Sequence, residues 1–216
     1  EVGDGDTGSG GDVMVTAGST STKSGLTGGS ISLKSGFSAE TSSGSITLYT
    51  PNAGSAGVSG AIGFTTGTAR FGNSGQIALT TGSAENFGRG GDIIQQVGTG
   101  DSGNGGDIKL TAGETTASSV AGGRVTISGG HGSSDDSGDG GDGGAIELFG
   151  GQSSGGASDV DVGGPIVLQG GVALNGAGGL ILQRTGFGEA TSSGSFTVLT
   201  ANAGTLGVSG RLVFAT

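Results

Sequence analysis

Six aspartates in two neighbouring loops are the side chains in this sequence with the clearest capacity for chemistry. They lie in the segments HGSSDDSGDGGDGG (131–144) and GGASDVDVGG (155–164). Carboxylates clustered in flexible, glycine-rich loops suit Ca²⁺, which takes several oxygen ligands without strict geometry. We therefore treat calcium as the one candidate cofactor. The candidate ligands are Asp135, Asp136, Asp139, Asp142, Asp159 and Asp161.

Two other interpretations of these aspartates stay open. They can form a solvated acidic loop that keeps the molecule soluble, or a set of weak sites that crosslink molecules through calcium. The glycine-rich calcium nonapeptide of β-roll toxins does not fit, because Asp107 of GGDIKL directly precedes the first apolar residue.

Catalytic constellations are not evident elsewhere. His131 is the only histidine and there is no cysteine, so thiol catalysis and a His/Cys metal site are excluded. No G-x-S-x-G lies at a strand-to-helix elbow, and the glycine runs precede no helix that would bind a phosphate. We predict that the chain is not an enzyme. Thr-rich segments such as ITLYT and LTTG leave an ice-binding surface as an alternative, although Lys109, Arg124 and Glu147 interrupt their rows.

The elements that would position these residues are thirteen short windows of the pattern [G/S]-G-x-apolar-x-apolar. Apolar residues at i and i+2 lie on one face of an extended strand, and glycine at both ends of a window disfavours a helix. The first apolar residues of successive windows recur at a nearly constant spacing, as in the series Ile31, Ile46, Ile62 and Ile77. The windows span residues 10–18, 28–36, 43–51, 59–67, 74–82, 90–98, 105–113, 122–130, 143–151, 163–171, 178–186, 193–201 and 209–216.

Near-identical strands at equal spacing predict an all-β fold, a parallel β-solenoid (β-helix) without helices. We expect two short strands in each coil of about 31 residues, with one strand per coil as the alternative. The glycines at the corners are expected to supply positive φ and to let backbones pass where a Cβ would collide. The connections run about nine residues and are not two-residue Asn-Gly or Asp-Gly turns, which disfavours antiparallel hairpins.

A longer repeat is superimposed on the windows. Thr41–Phe64 returns at Thr191–Phe214, 150 residues later, with 15 of 24 positions identical. We therefore predict that residues 1–216 form one continuous solenoid segment, with loop insertions at 129–144 and 151–164. Uncapped solenoid ends would bind the next repeat or another copy.

Late windows carry apolar residues at positions expected to point outward. They are either scattered surface residues or a lateral contact face on which solenoids pack side by side. The lateral-contact candidates are Phe149, Val167, Leu180, Leu182, Leu199 and Val213.

Composition and net charge limit the classes of partner that the chain can bind. The 216 residues include 55 glycines and only two prolines, and the net charge is −10. This acidic balance disfavours a nucleic-acid partner, and no apolar run approaches the ~20 residues of a membrane span.

The segments SSGSITLYTPNAGSAGVSGAIGFTTG and GNGGDIKLTAGETT resemble the giant Gly/Ser/Thr-rich repeat proteins of diatoms and related stramenopile algae. More loosely, the GDIxLTAG pattern is similar to repeats of filamentous haemagglutinin-type bacterial adhesins, which are β-helical surface proteins. Both resemblances imply an extracellular, cell-surface or cell-wall location. We therefore expect a structural repeat module of a long fibre, stacking end to end into a filament with copies of itself. The alternative is an adhesin stalk or binding module that presents the 129–164 loops.

Overall fold

The computed structural model describes residues 9–21, 25–85, 87–156, 160–205 and 207–215. Over these ranges the backbone forms neither α-helix nor β-strand. The predicted parallel β-solenoid, with its two strands per coil, is therefore wrong. The described chain is instead a series of extended windows joined by turns and closed loops.

Cα proximity groups the chain into two units, Glu1–Asn104 and Gly105–Thr216. The first unit contains the six windows from 10–18 to 90–98, and the second contains the seven from 105–113 to 209–216. Windows and connections of the same kind therefore make up each unit.

Side-chain exposure alternates along several windows, as an extended backbone requires. In the window 163–171, Ile166 and Leu168 are 52% and 58% exposed, whereas Val167 between them is 75% exposed. In the window 178–186 the less exposed residue is Ile181, between Leu180 and Leu182. Because successive side chains of an extended chain point to opposite sides, each of these windows has a partly shielded face and an open face.

An ion pair in the window 105–113 shows the same geometry. Lys109 Nζ lies 3.0 Å from Asp107 Oδ2, and both side chains are largely exposed. Residues i and i+2 can meet in this way when both point to the same side of an extended backbone. This ion pair is compatible with an extended backbone, although the window 105–113 forms no strand.

The connections are closed at their bases by backbone hydrogen bonds between glycines. In seven of them the glycine at the second position of a window donates its N–H to the carbonyl of the glycine that ended the previous window, at 2.8–3.0 Å. The distance in sequence between donor and acceptor differs from one connection to the next, because the connections differ in length. These pairs are Gly29–Gly18, Gly44–Gly36, Gly123–Gly113, Gly144–Gly130, Gly164–Gly151, Gly179–Gly171 and Gly194–Gly186.

The two arms of the 129–144 loop run antiparallel. Gly144 binds Gly130 at the base, Gly132 lies against Asp142, and Gly141 N–H donates to the Ser134 carbonyl nearer the tip. Residue numbers thus rise on one arm as they fall on the other, which is hairpin-like closure. The pairing stops at the base and does not extend into the flanking windows over the described ranges. This hairpin-like closure is therefore confined to the loop and joins no two windows over the described ranges.

Close backbone approach explains the paired glycines at these bases. A Cβ on Gly150 would collide with the carbonyl oxygen of Gly164, whereas the space around Gly151 is open. The glycines with positive φ lie inside the connections instead, for example Gly25 at 68° and Gly103 at 73°. Gly150 thus avoids a backbone collision across a loop base, which differs from the expected role of glycine at the corners of stacked coils.

No side chain among the described residues is buried. The chain exposes 21274 Å², whereas a compact protein of its mass would expose about 8,700 Å² and a fully unfolded one about 29,000 Å². Two apolar residues for each window and its connection supply too little apolar surface to offset the entropy of ordering so many glycines. This shortage of apolar surface is the physical reason why the regular spacing of the windows does not produce a stacked fold.

Candidate functional site

A turn at the tip of the 129–144 loop is built around one carboxylate. Asp136 Oδ1 accepts hydrogen bonds from the N–H groups of Gly138 at 2.8 Å and Asp139 at 3.3 Å. The Asp136 N–H donates in turn to Ser134 Oγ at 3.4 Å. Aspartate favours such turns because its short side chain reaches the backbone two residues further on. The acidic sequence SSDDSGD therefore folds locally around Asp136.

These bonds alter the acidity of the carboxyl group. The Gly138 N–H, and secondly the Asp139 N–H, lower the pKa of Asp136 below its ordinary value of 3.8. Both donors stabilise the ionised form and gain less from the protonated one. The turn and the negative charge of Asp136 are consequently coupled.

The calcium candidates that the structure describes do not converge on one point. Among the described residues, no three His, Cys, Asp or Glu side chains form a group that would hold a metal ion. One oxygen of Asp136 is already engaged by backbone N–H groups. Asp161 lies against Gly155 in the second loop, and Asp159 lies outside the described residues. Exposed positions are found for Asp135, Asp136, Asp139, Asp142 and Asp161.

The lateral-contact candidates are all open to solvent, from 60% exposure at Val213 to 86% at Leu199. The opposite face of the same windows is only partly shielded, since Ile166 and Ile181 remain about half exposed. Exposure therefore does not single out one contact face. It shows a surface available on both sides of each window. Five of the six candidates lie on the more open side of their windows, namely Phe149, Val167, Leu180, Leu182 and Leu199, whereas Val213 is less exposed than the adjacent Phe214.

Positions equivalent in the 150-residue repeat make equivalent contacts. A Cβ on Gly60 would touch the Thr50 side chain at 3.1 Å, and one on Gly210 would touch Thr200 at 3.4 Å. Thr50 Oγ1 also donates to the Gly60 carbonyl at 3.1 Å. The two copies of the 24-residue segment therefore share a loop base in which threonine fills the space beside glycine.

Sequence reasoning missed the residues that close the connections. The signal is the recurrence of glycine on both sides of each connection, such as Gly130 and Gly144, which suits the corners of stacked coils equally well. The role of Ser134, which accepts two hydrogen bonds in the acidic loop, was also missed. Arg89 and Asp92, whose side chains meet at 2.6 Å, were not singled out either.

His131 is exposed. No helix in the described part of the chain has the length and apolar character needed to cross a bilayer.

Comparison of the chain with protein-family models, curated proteins and solved structures finds no match.

Proposed function

We propose that this chain is a structural repeat module of a long extracellular or cell-surface fibre, and that it associates end to end with neighbouring repeats or copies of itself. The observation that supports the proposal best is the combination of repeated apolar windows with the absence of any buried side chain in the described ranges. A soluble domain that works alone buries most of its apolar surface. This one keeps its apolar windows available for other molecules.

The sequence adds two supports. The 150-residue repeat gives equivalent surfaces at 41–64 and 191–214, so one copy can present what its neighbour also presents. The resemblance to algal repeat proteins and to bacterial adhesin repeats implies the same kind of extracellular, fibrous setting. The proposal involves no catalytic role.

Analytical ultracentrifugation and electron microscopy of the 216-residue chain test it. We expect the sedimentation coefficient to rise with concentration and filaments of uniform width to appear. A chain that stays monomeric at every concentration tested would contradict the proposal.

The contribution of the open window faces is tested separately. Replacing both Leu182 and Leu199 with Asn removes two exposed apolar side chains of the lateral-contact set. We expect lateral bundling of filaments to be lost while single filaments persist. Replacing Thr47 and Thr197 with Asn is the matched control, because it introduces the same residue at two polar window positions and removes only the small threonine methyl groups.

A second candidate function is an adhesin stalk that presents the 129–164 loops to a partner. It is favoured by the ordered turn at Asp136, which lies exposed at the tip of a loop closed at Gly130 and Gly144. The two functions separate experimentally. Deleting residues 134–139 leaves assembly intact if the chain is a fibre module, whereas it removes attachment to a cell or glycan surface if the loop is the binding site.

A further inference from the structure

We infer that the windows of one copy bind the windows of a second copy through backbone hydrogen bonds, so that each chain supplies the partners that the other lacks. The inference rests on the proposed function and names the surface and the bonds through which copies associate. It concerns pairing between chains and does not restore a solenoid within one chain.

The first support is the unpaired backbone of the windows. In the described ranges, backbone-to-backbone hydrogen bonds join glycines at loop bases, Gly141 to Ser134 within the 129–144 loop, and Gly207 to Gly204. No such bond begins or ends at a residue between the flanking glycines of a window. An extended segment with free N–H and C=O groups is a template on which another extended chain can add.

The second support is the composition and exposure of these segments. Ile, Val, Leu and Thr dominate the window interiors and favour pairing on a pleated surface. The first apolar residue of a window is typically about half exposed, as at Ile46 and Ile146, which are both 52% exposed. Burial of that remaining apolar surface would favour association.

The area available is far larger than an interface requires. The chain exposes 21274 Å², which is roughly 12,000 Å² more than a compact protein of this mass. A stable protein interface buries about 1,600 Å² in total. Pairing of only a few windows would therefore suffice for a specific complex.

The repeated spacing favours a second copy over an unrelated protein. Windows recur at a nearly constant interval, as Ile31, Ile46 and Ile62 show. Pairing at one window therefore brings the next windows of an identical chain into register. Each further window then binds at high effective concentration. A chain without that spacing would gain only a single short contact.

The 150-residue repeat offers a second register. Because Thr41–Phe64 and Thr191–Phe214 are alike, a copy displaced by 150 residues meets equivalent windows. A displaced copy extends beyond its neighbour and leaves unpaired windows for the next one. This arrangement lengthens a filament, whereas in-register pairing thickens it.

The net charge determines the ionic strength at which copies can associate. The net charge of −10 opposes association of two copies at low ionic strength. Six of the acidic residues lie in the 129–144 and 151–164 loops, outside the window interiors. Salt screens this repulsion without weakening backbone pairing, so assembly should begin at lower protein concentration as salt is added.

Proline substitutions test the backbone bonds directly, because proline lacks the N–H donor. One variant of the full chain carries Thr47→Pro, Ala78→Pro and Thr197→Pro, each between the two apolar residues of a window. The matched control carries Ser45→Pro, Gln76→Pro and Ser195→Pro, each at the position where the chain naturally has Pro165 in another window. Proline is tolerated at the first position of a paired strand. No described side chain is buried, so neither variant disrupts a core.

The concentration at which light scattering reports assembly is the measurement. We expect the mid-window variant to raise it by about tenfold or more, and the control to change it by less than about twofold. Equal thresholds for the wild-type chain and the mid-window variant would overturn the inference while leaving the fibre function intact. A wild-type chain that never assembles would overturn both.

Isotope-edited infrared spectroscopy gives an independent readout. Assemblies of ¹³C-labelled chains should show a coupled amide band that shifts when labelled copies are diluted with unlabelled ones, since the coupled groups lie on different chains. A band unaffected by dilution would place the pairing within one chain and contradict the inference.

Discussion

At the scale of single residues, glycine pairs carry most of the specific structure in this chain. Gly164 donates its N–H to Gly151 at 2.8 Å, and Gly150 leaves room for the Gly164 carbonyl beside it. Neighbouring glycines thus have different roles, one as the hydrogen-bond acceptor and one as the residue without a Cβ. The sequence letters alone do not distinguish the two.

Replacing Gly150 with Ala should open this loop base, because the new methyl group would collide with the carbonyl oxygen of Gly164. One net hydrogen bond contributes about 1 kcal/mol, so we expect amide exchange at Gly164 to quicken by roughly fivefold. Gly151→Ala is the control, since a Cβ there enters open space. The explanation fails if the two variants exchange equally fast.

Asp136 gives the acidic loop a dependence on pH. Its pKa is lowered by the Gly138 N–H and then by the Asp139 N–H, so the turn stabilises the ionised carboxylate. That stabilisation is fully present above the ordinary value of 3.8 and is lost as the pH falls through the lowered pKa.

The amide chemical shift of Gly138 should therefore stay constant near neutral pH and move only under strongly acidic conditions. Asp136→Asn keeps an acceptor oxygen but does not titrate, so the turn should persist without the acid transition. Asp136→Ala should lose the turn at every pH. Asp135→Asn removes a neighbouring charge and should leave the acid transition in place. If the transition disappeared in that variant, Asp136 would not be the residue that titrates.

At the scale of elements, the windows and the connections differ in what determines their conformation. Windows such as 163–171 are extended and alternate in exposure, as their apolar spacing predicts. Connections vary in length, yet the short connection closed by Gly44 and Gly36 and the longer one closed by Gly144 and Gly130 end in the same kind of bond. Loop length is therefore independent of the closing contact.

Shortening the acidic loop tests this independence. Deleting residues 134–139 reduces the separation of the closing pair Gly130 and Gly144 to that of Gly36 and Gly44. We expect the Gly144 amide to keep its hydrogen-bonded chemical shift and its exchange rate within about twofold. A loss of protection at Gly144 would show that the tip, and not the base, holds the loop closed.

Particular residues show how far sequence reasoning reaches. The less exposed positions of the windows, such as Ile166 and Ile181, are those predicted to point inward, because period-two spacing directly fixes the sides of an extended chain. The pairing of windows was not predictable, since spacing is equal for stacked coils and for separate segments. The acidic site shows the same limit. Asp136 forms a turn with residues close to it in sequence. Among the described residues, the other aspartates do not meet it at a common point.

At the scale of the whole molecule, the solvent-exposed area determines how the chain responds to denaturant. The chain exposes 21274 Å² and so buries only about a quarter of its unfolded surface, against about 70% for an ordinary domain of similar size. Its stability against denaturant should reflect that difference, because the slope of unfolding free energy with urea follows the area newly exposed.

In dilute solution we expect a shallow, weakly cooperative urea transition, with a slope about two fifths of that of a compact domain of this length. After assembly the transition should become steeper and should shift with protein concentration, because association stabilises the ordered state. Circular dichroism at two concentrations measures both effects. A steep transition that is independent of concentration would reveal a core within the single chain.

The glycine-closed loop bases have a consequence for how such a chain can be altered. A connection whose two ends are held by one backbone bond accepts any insert whose own termini lie close together, and the windows on either side need not move. The longer connections closed by Gly144 with Gly130 and by Gly164 with Gly151 end in the same kind of bond as the shorter one closed by Gly44 with Gly36. Each base therefore works as an attachment point, where new sequence can be displayed along the chain without redesign of what connects one copy to the next.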